Sequence, residues 1–382
     1  MQLQTPLHGI RILDFGRVLS APYGTLMLAD LGADVVKVEH PQKGDDTRSF
    51  GPPFVHGVSS YFLSINRGKR SIVLDLKDPQ DLQTAIELAC HADVVVENFR
   101  PGVMKKLGLG VDFLREKNPR LIVASLSGYG RDFSDPGYDL MMQGLSGIPS
   151  ITGPVEGEPY KCGASIADLV AGMNLAQGIL AALYRREKTG KGGLVDVSMM
   201  DGQLSLLTYH ASAYLNGQVE PKRMGNGHPS IHPFQPYRCA DGFLNICVGN
   251  DRIFSQLARA MGHEEWAEDE RFVTNPRRVA HRKELDALLY PLFLAKPREE
   301  WKRILNEEGV PVDIVASIPE ALEAAKDRGR IVEHSHPIQP EQSIYTLPIP
   351  YHLDGTKRSS DRRPPNLGEH QEEVLKEWLS KE

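Results

Sequence analysis

Ser165-Ile166-Ala167-Asp168 sets one carboxylate at the head of an apolar stretch that runs on to Tyr184. Two chemistries fit a Ser-x-x-Asp at such a boundary. In a capping box, the serine oxygen accepts a free backbone N–H and the acid three residues on reaches back to the N-cap amide. As a covalent nucleophile, the same carboxylate gains from the positive end of the helix, which favours its charged form. Spacing alone leaves both open. Other reactive residue types offer less. His228 and His232 lie four apart, but Pro229 and Pro233 interrupt them and no HExxH surrounds them, so they read as a polar pocket lining and no metal site is expected. The four cysteines, Cys90, Cys162, Cys239 and Cys247, include no CxxC pair and read as reduced thiols. Cys162 has no evident histidine partner. A GxSxG elbow and a Walker A motif are absent, which excludes the common serine hydrolase and P-loop designs.

The carboxylate needs a rigid frame, and the order of elements predicts one. Gly172, Ala176, Gly178, Ala181 and Ala182 are small enough for other backbones to approach closely, so the Asp168 helix should be central and buried. Glycine lowers its intrinsic helix propensity, so packing must support it. Upstream, Ile10–Phe15 reads as a strand, Pro22–Leu31 as a helix closed by Gly32, and Asp34–Glu39 as a second strand. That is a right-handed βαβ unit. Its turn, Gly16 to Pro22, is not GxGxxG, which disfavours a nicotinamide dehydrogenase. Further strands at Ser71–Leu76, Asp93–Phe99, Leu121–Leu126 and Leu194–Met199 alternate with helices. The pattern predicts a doubly wound parallel sheet, α/β in class, with ligands beyond the carboxyl ends of its strands. The loops at Val18–Pro22, His40–Arg48, Asn98–Gly102 and Ser127–Tyr138 should share that rim. The basic run Ser64–Arg70 reads as a solvated charged face or a phosphate-binding rim.

From Arg223 the texture turns rich in Gly, Pro and His, and Asp241-Gly242 signals a hairpin. The expected organisation is a large domain over 1–222, a smaller α+β domain over 223–318, and a segment, 319–382, that returns to the first. The chain of 382 residues is 41% hydrophobic and 25% charged, enough for a sizeable core. A net charge of -6 argues against nucleic acid as a main partner. The start of the chain has neither the basic nor the apolar region of a signal peptide, and no apolar run is expected to span a membrane. The expected location is cytoplasmic.

Several stretches, taken in order, resemble the family III CoA-transferases, the group of formyl-CoA transferase and carnitine CoA-transferase. They are Leu7–Phe15, Leu31–Glu39, Val96–Gly102, Asn118–Ile122, Ala167-Asp168, Arg186–Gly192 and Leu367–His370. The resemblance spans the chain. It implies a Rossmann-like large domain, a smaller domain and an interlocked homodimer. It implies CoA and acyl-CoA as substrates, with no permanently bound cofactor. Asp168 matches the family's nucleophilic aspartate, which carries first an acyl group and then CoA.

The same resemblance implies CoA contacts at Leu19, Ser20 and His40, at Leu74, Asp75, Leu76 and Lys77, at Asn98, Phe99, Arg100 and Lys106, and at Pro136, Gly137, Tyr138 and Asp139. Some positions depart from the pattern. His40 falls where formyl-CoA transferase has an arginine, and Pro136 where it has a lysine; its glycine-rich active-site loop gives way here to Gly225–Pro233. Tyr138 stands where the related α-methylacyl-CoA racemases have a histidine, and a tyrosine is a poor base near neutrality, which favours transfer over racemisation. A CoA-thioester-binding protein without turnover is the remaining alternative. Gly44–Arg48, Gly51–Val55 and Gly225–Pro233 look most like the branch acting on short dicarboxylates. Arg48 and Arg100 are then candidates for a second carboxylate, and His228 and His232 for the substrate pocket. Either arginine could equally meet a CoA phosphate or a structural acid.

Overall fold

Runs of β-branched residues, buried on both faces, build the sheet that organises the chain. In the computed structural model, which describes residues 5–354 and 359–380, six strands are parallel. They are Arg11–Asp14 (β1), Asp34–Glu39 (β2), Lys69–Val73 (β3), Val94–Glu97 (β4), Ile122–Ser127 (β5) and Gly193–Ser198 (β6). Their spatial order is β3-β2-β1-β4-β5-β6, with Ile12 flanked by Val35 and Val94. This is the doubly wound order, reversing between β1 and β4. The α/β architecture expected from the alternation of elements is present.

Four helices matter for the site: Ser20–Asp30 (α1), Pro79–His91 (α2), Ile166–Thr189 (α3) and Gln371–Leu379 (α4). One face of the sheet packs on α1 and α3, through Leu28, Val35, Val96, Leu175 and Ile179. The other packs on α2 and α4, through Val36, Val95, Leu88, Val374 and Trp378. Contrary to expectation, α3 is long and apolar enough to cross a membrane. Its composition has a local cause: Ala167, Ala171, Leu175 and Ile179 are fully buried in the α/β core. Gly24 and Gly172 bring α1 and α3 into backbone contact. A Cβ on Gly172 would lie 2.5 Å from Ser20 O, and one on Gly24 would lie 2.7 Å from Gly172 O.

The basic run before β3 is neither a solvated face nor a phosphate rim. Arg67 pairs with Asp30, Lys69 with Asp14, and Arg70 with Asp34, Glu373 and Glu377. All three cations are almost wholly buried. Their acids come from α1, β1, β2 and α4, too far along the chain for a local reading to find.

The chain divides into two compact units. The first comprises 1–148, 161–218 and 328–382, and the second 149–160 and 219–327. The division falls after 218 and 327, where 222 and 318 were expected, and it gives the short segment 149–160 to the second unit. Arg223 accounts for that segment, since its guanidinium donates to Pro154 O at 3.0 Å and Gly157 O at 2.9 Å. An Arg298–Glu320 ion pair ties helix Ile318–Asp327 to the same unit. The second unit holds an antiparallel sheet of Phe234–Cys239 (β7), Gly242–Cys247 (β8) and Val312–Ile314 (β9), in order β9-β8-β7. Its own core gathers Tyr237, Leu244, Phe254, Phe293 and Trp301.

Candidate active site

The strand order reverses between β1 and β4, and buried ionic groups fix the chain leaving β1. Asp14 accepts from Gly16 N at 2.7 Å and from Thr25 Oγ1 at 2.6 Å. Lys37, 1% exposed, donates to Gly16 O at 2.6 Å and pairs with Asp45 at 2.8 Å. Burial opposes ionisation of Asp45, but Lys37 outweighs it and holds the carboxyl down at about 2. Lys69 lies 3.3 Å from Asp14, and burial still lowers its ammonium to about 8. Between these anchors Val18 adopts φ 64°, a strained conformation for a β-branched residue. The Asn98 side chain holds the residue before it, accepting from Arg17 N at 2.8 Å and donating to Arg17 O at 2.9 Å. The loop thereby delivers Ser20 to the first position of α1.

The head of α3 meets it. Ser165 stands at the N-cap, yet its side chain makes no capping bond. Asp139 serves instead: Oδ1 accepts from Ala167 N at 2.9 Å and Oδ2 from Gln143 Nε2 at 2.8 Å. The capping-box reading of Ser165-x-x-Asp168 is overturned, because the cap comes from another helix and Asp168 is released from that task. Burial pushes Asp168 up to about 6, the Asp139 charge pushes the same way, and the neighbouring Ser20 hydroxyl opposes both. At pH 7 the ionised form still leads by about ten to one. Tyr61, on the short helix Ser60–Ile65, faces the same charges. Burial, then Asp168, Asp139 and Asp45, push its phenol up to about 12, so it stays a neutral hydrogen-bond donor. No sequence signal marked Tyr61.

Two clefts open over the carboxyl rim. The first is lined by Phe15, Lys37, His40, Leu74, Asp75, Leu76, Lys77 and Phe99, among others. The second is lined by Ser20, Asn98, Phe99, Arg100, Ser127, Pro136, Gly137, Tyr138 and Met199, among others. Phe99 borders both. Most of the expected CoA contacts are thus gathered into two adjoining clefts. Leu19 is buried beneath the rim and Lys106 is exposed at the end of helix Val103–Lys106; neither lines a cleft. Asp139 acts as the cap of α3. Ser127, absent from the sequence-based set, is 8% exposed in the second cleft, and its hydroxyl has no partner among the described residues. A strand-end serine carries no distinctive sequence signal.

The three residues expected at the substrate are placed differently. Arg48 is held by Glu39 through two bonds of 2.7 Å and lies 3.7 Å above the Phe62 ring, so the structural acid claims it. His228 and His232 belong to the second unit. His232 is 1% exposed, 3.4 Å from Asp286, which also accepts from Tyr237 at 2.6 Å. The His228 ring packs on Phe234 at 5.5 Å, and its Nδ1 accepts from Ser230 N at 3.1 Å.

Sheet and site together define a Rossmann-like α/β protein with a half-buried carboxylate at the head of α3 and two adjoining clefts at the topological switch point. The profile of CoA-transferase family III matches residues 7–371, and the chain belongs to that family. It is 39% identical over 379 residues to the succinyl-CoA:glutarate CoA-transferase of Mus musculus, covering 98% of this chain and 86% of that one. To the acetyl-CoA:oxalate CoA-transferase of Acetobacter aceti it is 42% identical over 329 residues, 85% and 84% of the two chains. The crystal structure of a CaiB/BaiF family protein from Brucella suis matches with a TM-score of 0.87 at 37% identity, over 98% of this chain and 100% of that one. CoA transfer between acyl-CoA and carboxylates is the reaction class of the protein.

Proposed function

We propose that the protein moves CoA from a succinyl-CoA-like donor to a short dicarboxylate through covalent intermediates on Asp168. The observation that carries this reading is the state of that carboxylate. It is freed from capping by Asp139 and, with a value near 6, is mostly ionised at neutral pH. An Asp168 oxygen attacks the thioester carbonyl; the C–S bond breaks, giving a mixed anhydride and CoA thiolate. The thiolate then attacks Cγ of Asp168, the donor acid leaves as carboxylate, and an aspartyl-CoA thioester remains. An acceptor carboxylate enters, and the two steps run in reverse. Every bond made is matched by one broken, so the cycle calls for no metal or redox group. Water must be kept out, because anhydride and thioester both hydrolyse.

Two features support a dicarboxylate acceptor. The named relatives act, by their names, on glutarate and oxalate. Arg100 lines the second cleft with no ion-pair partner among the described residues, so its guanidinium can take a distal carboxylate. The test incubates the enzyme with succinyl-CoA and a panel of mono- and dicarboxylates, following new thioesters and the mass of the Asp168 peptide. Thioesters of short dicarboxylates and an adduct on Asp168 are expected, and Asp168→Ala should lose at least about 10³-fold in rate. Transfer by Asp168→Ala at the wild-type rate sinks the mechanism. Wash-in of solvent deuterium α to the thioester, without any acceptor, would instead make it a racemase.

A further inference from the structure

The first cleft carries an arginine outside the expected CoA contacts. Arg17 lines it, and its backbone is clamped by the Asn98 amide, which accepts from Arg17 N at 2.8 Å and donates to Arg17 O at 2.9 Å. The next residue, Val18, is held at φ 64°, with its N–H nitrogen 3.3 Å from an Asp45 oxygen. The backbone is thus fixed, and the side chain alone can move. Its guanidinium pairs with Asp46 through a single nitrogen at 2.8 Å, and makes no other hydrogen bond among the described residues. The two side chains are 46% and 45% exposed. A solvated pair held by one bond contributes little, and the rest of the planar fork is uncommitted. Other charges on this cleft are committed. Lys37 is held by Asp45 and Gly16 O, and Glu39 takes two bonds from Arg48. His40 Nδ1 accepts from Gln42 N at 3.2 Å. Arg17 and the exposed Lys77 are the lining cations open to an incoming anion.

We propose that Arg17 is a specificity-determining residue: its side chain leaves Asp46 and takes a phosphate of the CoA nucleotide, either the diphosphate or the 3′-phosphate. The inference rests on CoA occupying the first cleft. The exchange runs downhill for a stated reason. One screened, single-bond pair is broken, and Asp46 returns to water. A phosphate offers more negative charge and several oxygens, which the guanidinium can meet with two parallel N–H bonds. Because Asn98 already fixes the backbone, only side-chain freedom is lost on binding. Asp46 is then a competitor for the same guanidinium. It keeps Arg17 oriented before CoA binds, lowers the affinity of the cleft for CoA and its thioesters, and so speeds their release.

The test titrates wild type and variants with CoA, 3′-dephospho-CoA and pantetheine, and measures KM and kcat for succinyl-CoA. Arg17→Gln should bind CoA about 10- to 100-fold more weakly, the effect of one charge-assisted hydrogen bond. KM should rise while kcat stays nearly constant, because the phosphate is bound alike in ground and transition states. Arg17→Lys keeps the charge and should recover part of the affinity. A weakening of CoA alone assigns the 3′-phosphate; an equal weakening of CoA and 3′-dephospho-CoA assigns the diphosphate. Pantetheine has neither group, so Arg17→Gln should bind it as wild type does; an equal loss there would make the residue merely structural. Asp46→Asn should tighten CoA by about threefold in wild type and leave Arg17→Gln unchanged. The same gain in both backgrounds would mean that Asp46 acts by its own charge, and the exchange is wrong. Lys77→Glu, on the same cleft, separates the two failures. If it weakens CoA while Arg17→Gln binds within about twofold of wild type, Arg17 has no such role. If neither change moves CoA affinity, CoA does not lie in the first cleft, and that reading falls together with this one.

Discussion

Asp168 is costly to the fold, and as the proposed nucleophile it is needed by the reaction. Burial and the Asp139 charge raise its pKa to about 6 in the folded state, well above the ordinary carboxylate value. The folded protein therefore binds more protons than the unfolded chain between about pH 4 and 6, so this group's contribution to stability falls as pH rises through that window. Above it, the ionised Asp168 is a standing cost that the proposed mechanism requires. Asp168→Asn should therefore be inactive yet more stable at pH 7.5, by about 1–2 kcal/mol, allowing for partial solvent access. The gain should shrink towards zero near pH 4, where the native aspartate is neutral too. Denaturant unfolding of both proteins at pH 7.5 and 4.5 checks this. Equal stability at pH 7.5 would mean that the buried charge is not paid for by the fold.

At the scale of elements, the site depends on how closely α1 and α3 approach. Gly172 permits it, and a methyl group there would stand 2.5 Å from Ser20 O, far inside van der Waals contact. Gly172→Ala gains helix propensity of about 1 kcal/mol, but overpacking against backbone costs about 1–3 kcal/mol and displaces the head of α1. A lower melting temperature is expected, with a larger fall in turnover than in CoA binding; thermal melts and steady-state kinetics read both. Unchanged turnover would show that the helix crossing does not set the geometry of the site. These elements were legible in the sequence to an uneven degree. Val35, Val36, Val94 and Val95 announced buried strands, and the small residues of α3 announced a central helix. The function of the α3 head was not legible, because Ser165-x-x-Asp168 fits a cap locally and the true cap, Asp139, lies 28 residues from the amide it accepts. The basic run failed for the same reason: Lys69 and Arg70 look solvated until β1, β2 and α4 supply Asp14, Asp34 and Glu377. Arg48 looked available until the fold turned Glu39 towards it.

At the scale of the molecule, the first unit carries a surface that this chain does not cover. Helix Thr208–Gly217 buries none of its residues, although Tyr209, Tyr214 and Leu215 are among them, with Leu215 71% exposed. Leu204 and Leu206, just before the helix in the chain, are exposed as well. Exposed apolar side chains gathered in one segment suit an interaction surface, and we propose a second copy of the chain as its occupant, as the family resemblance implies. Leu215→Glu, facing solvent in one chain and a partner in two, should leave a monomer or an aggregate where sedimentation of wild type gives a dimer. The interlocked form that the family resemblance implies has a sharper consequence. Two threaded rings cannot part by breaking surface contacts; one chain must unfold enough to pass through the other, so exchange is limited by an unfolding barrier and not by interface affinity. Mixing two differently tagged wild-type dimers should give no mixed dimer over a day in native buffer, at any dilution, and a statistical mixture after denaturation and refolding. Mixed dimers within an hour would mean that the subunits associate side by side, held by surfaces such as Leu215 alone.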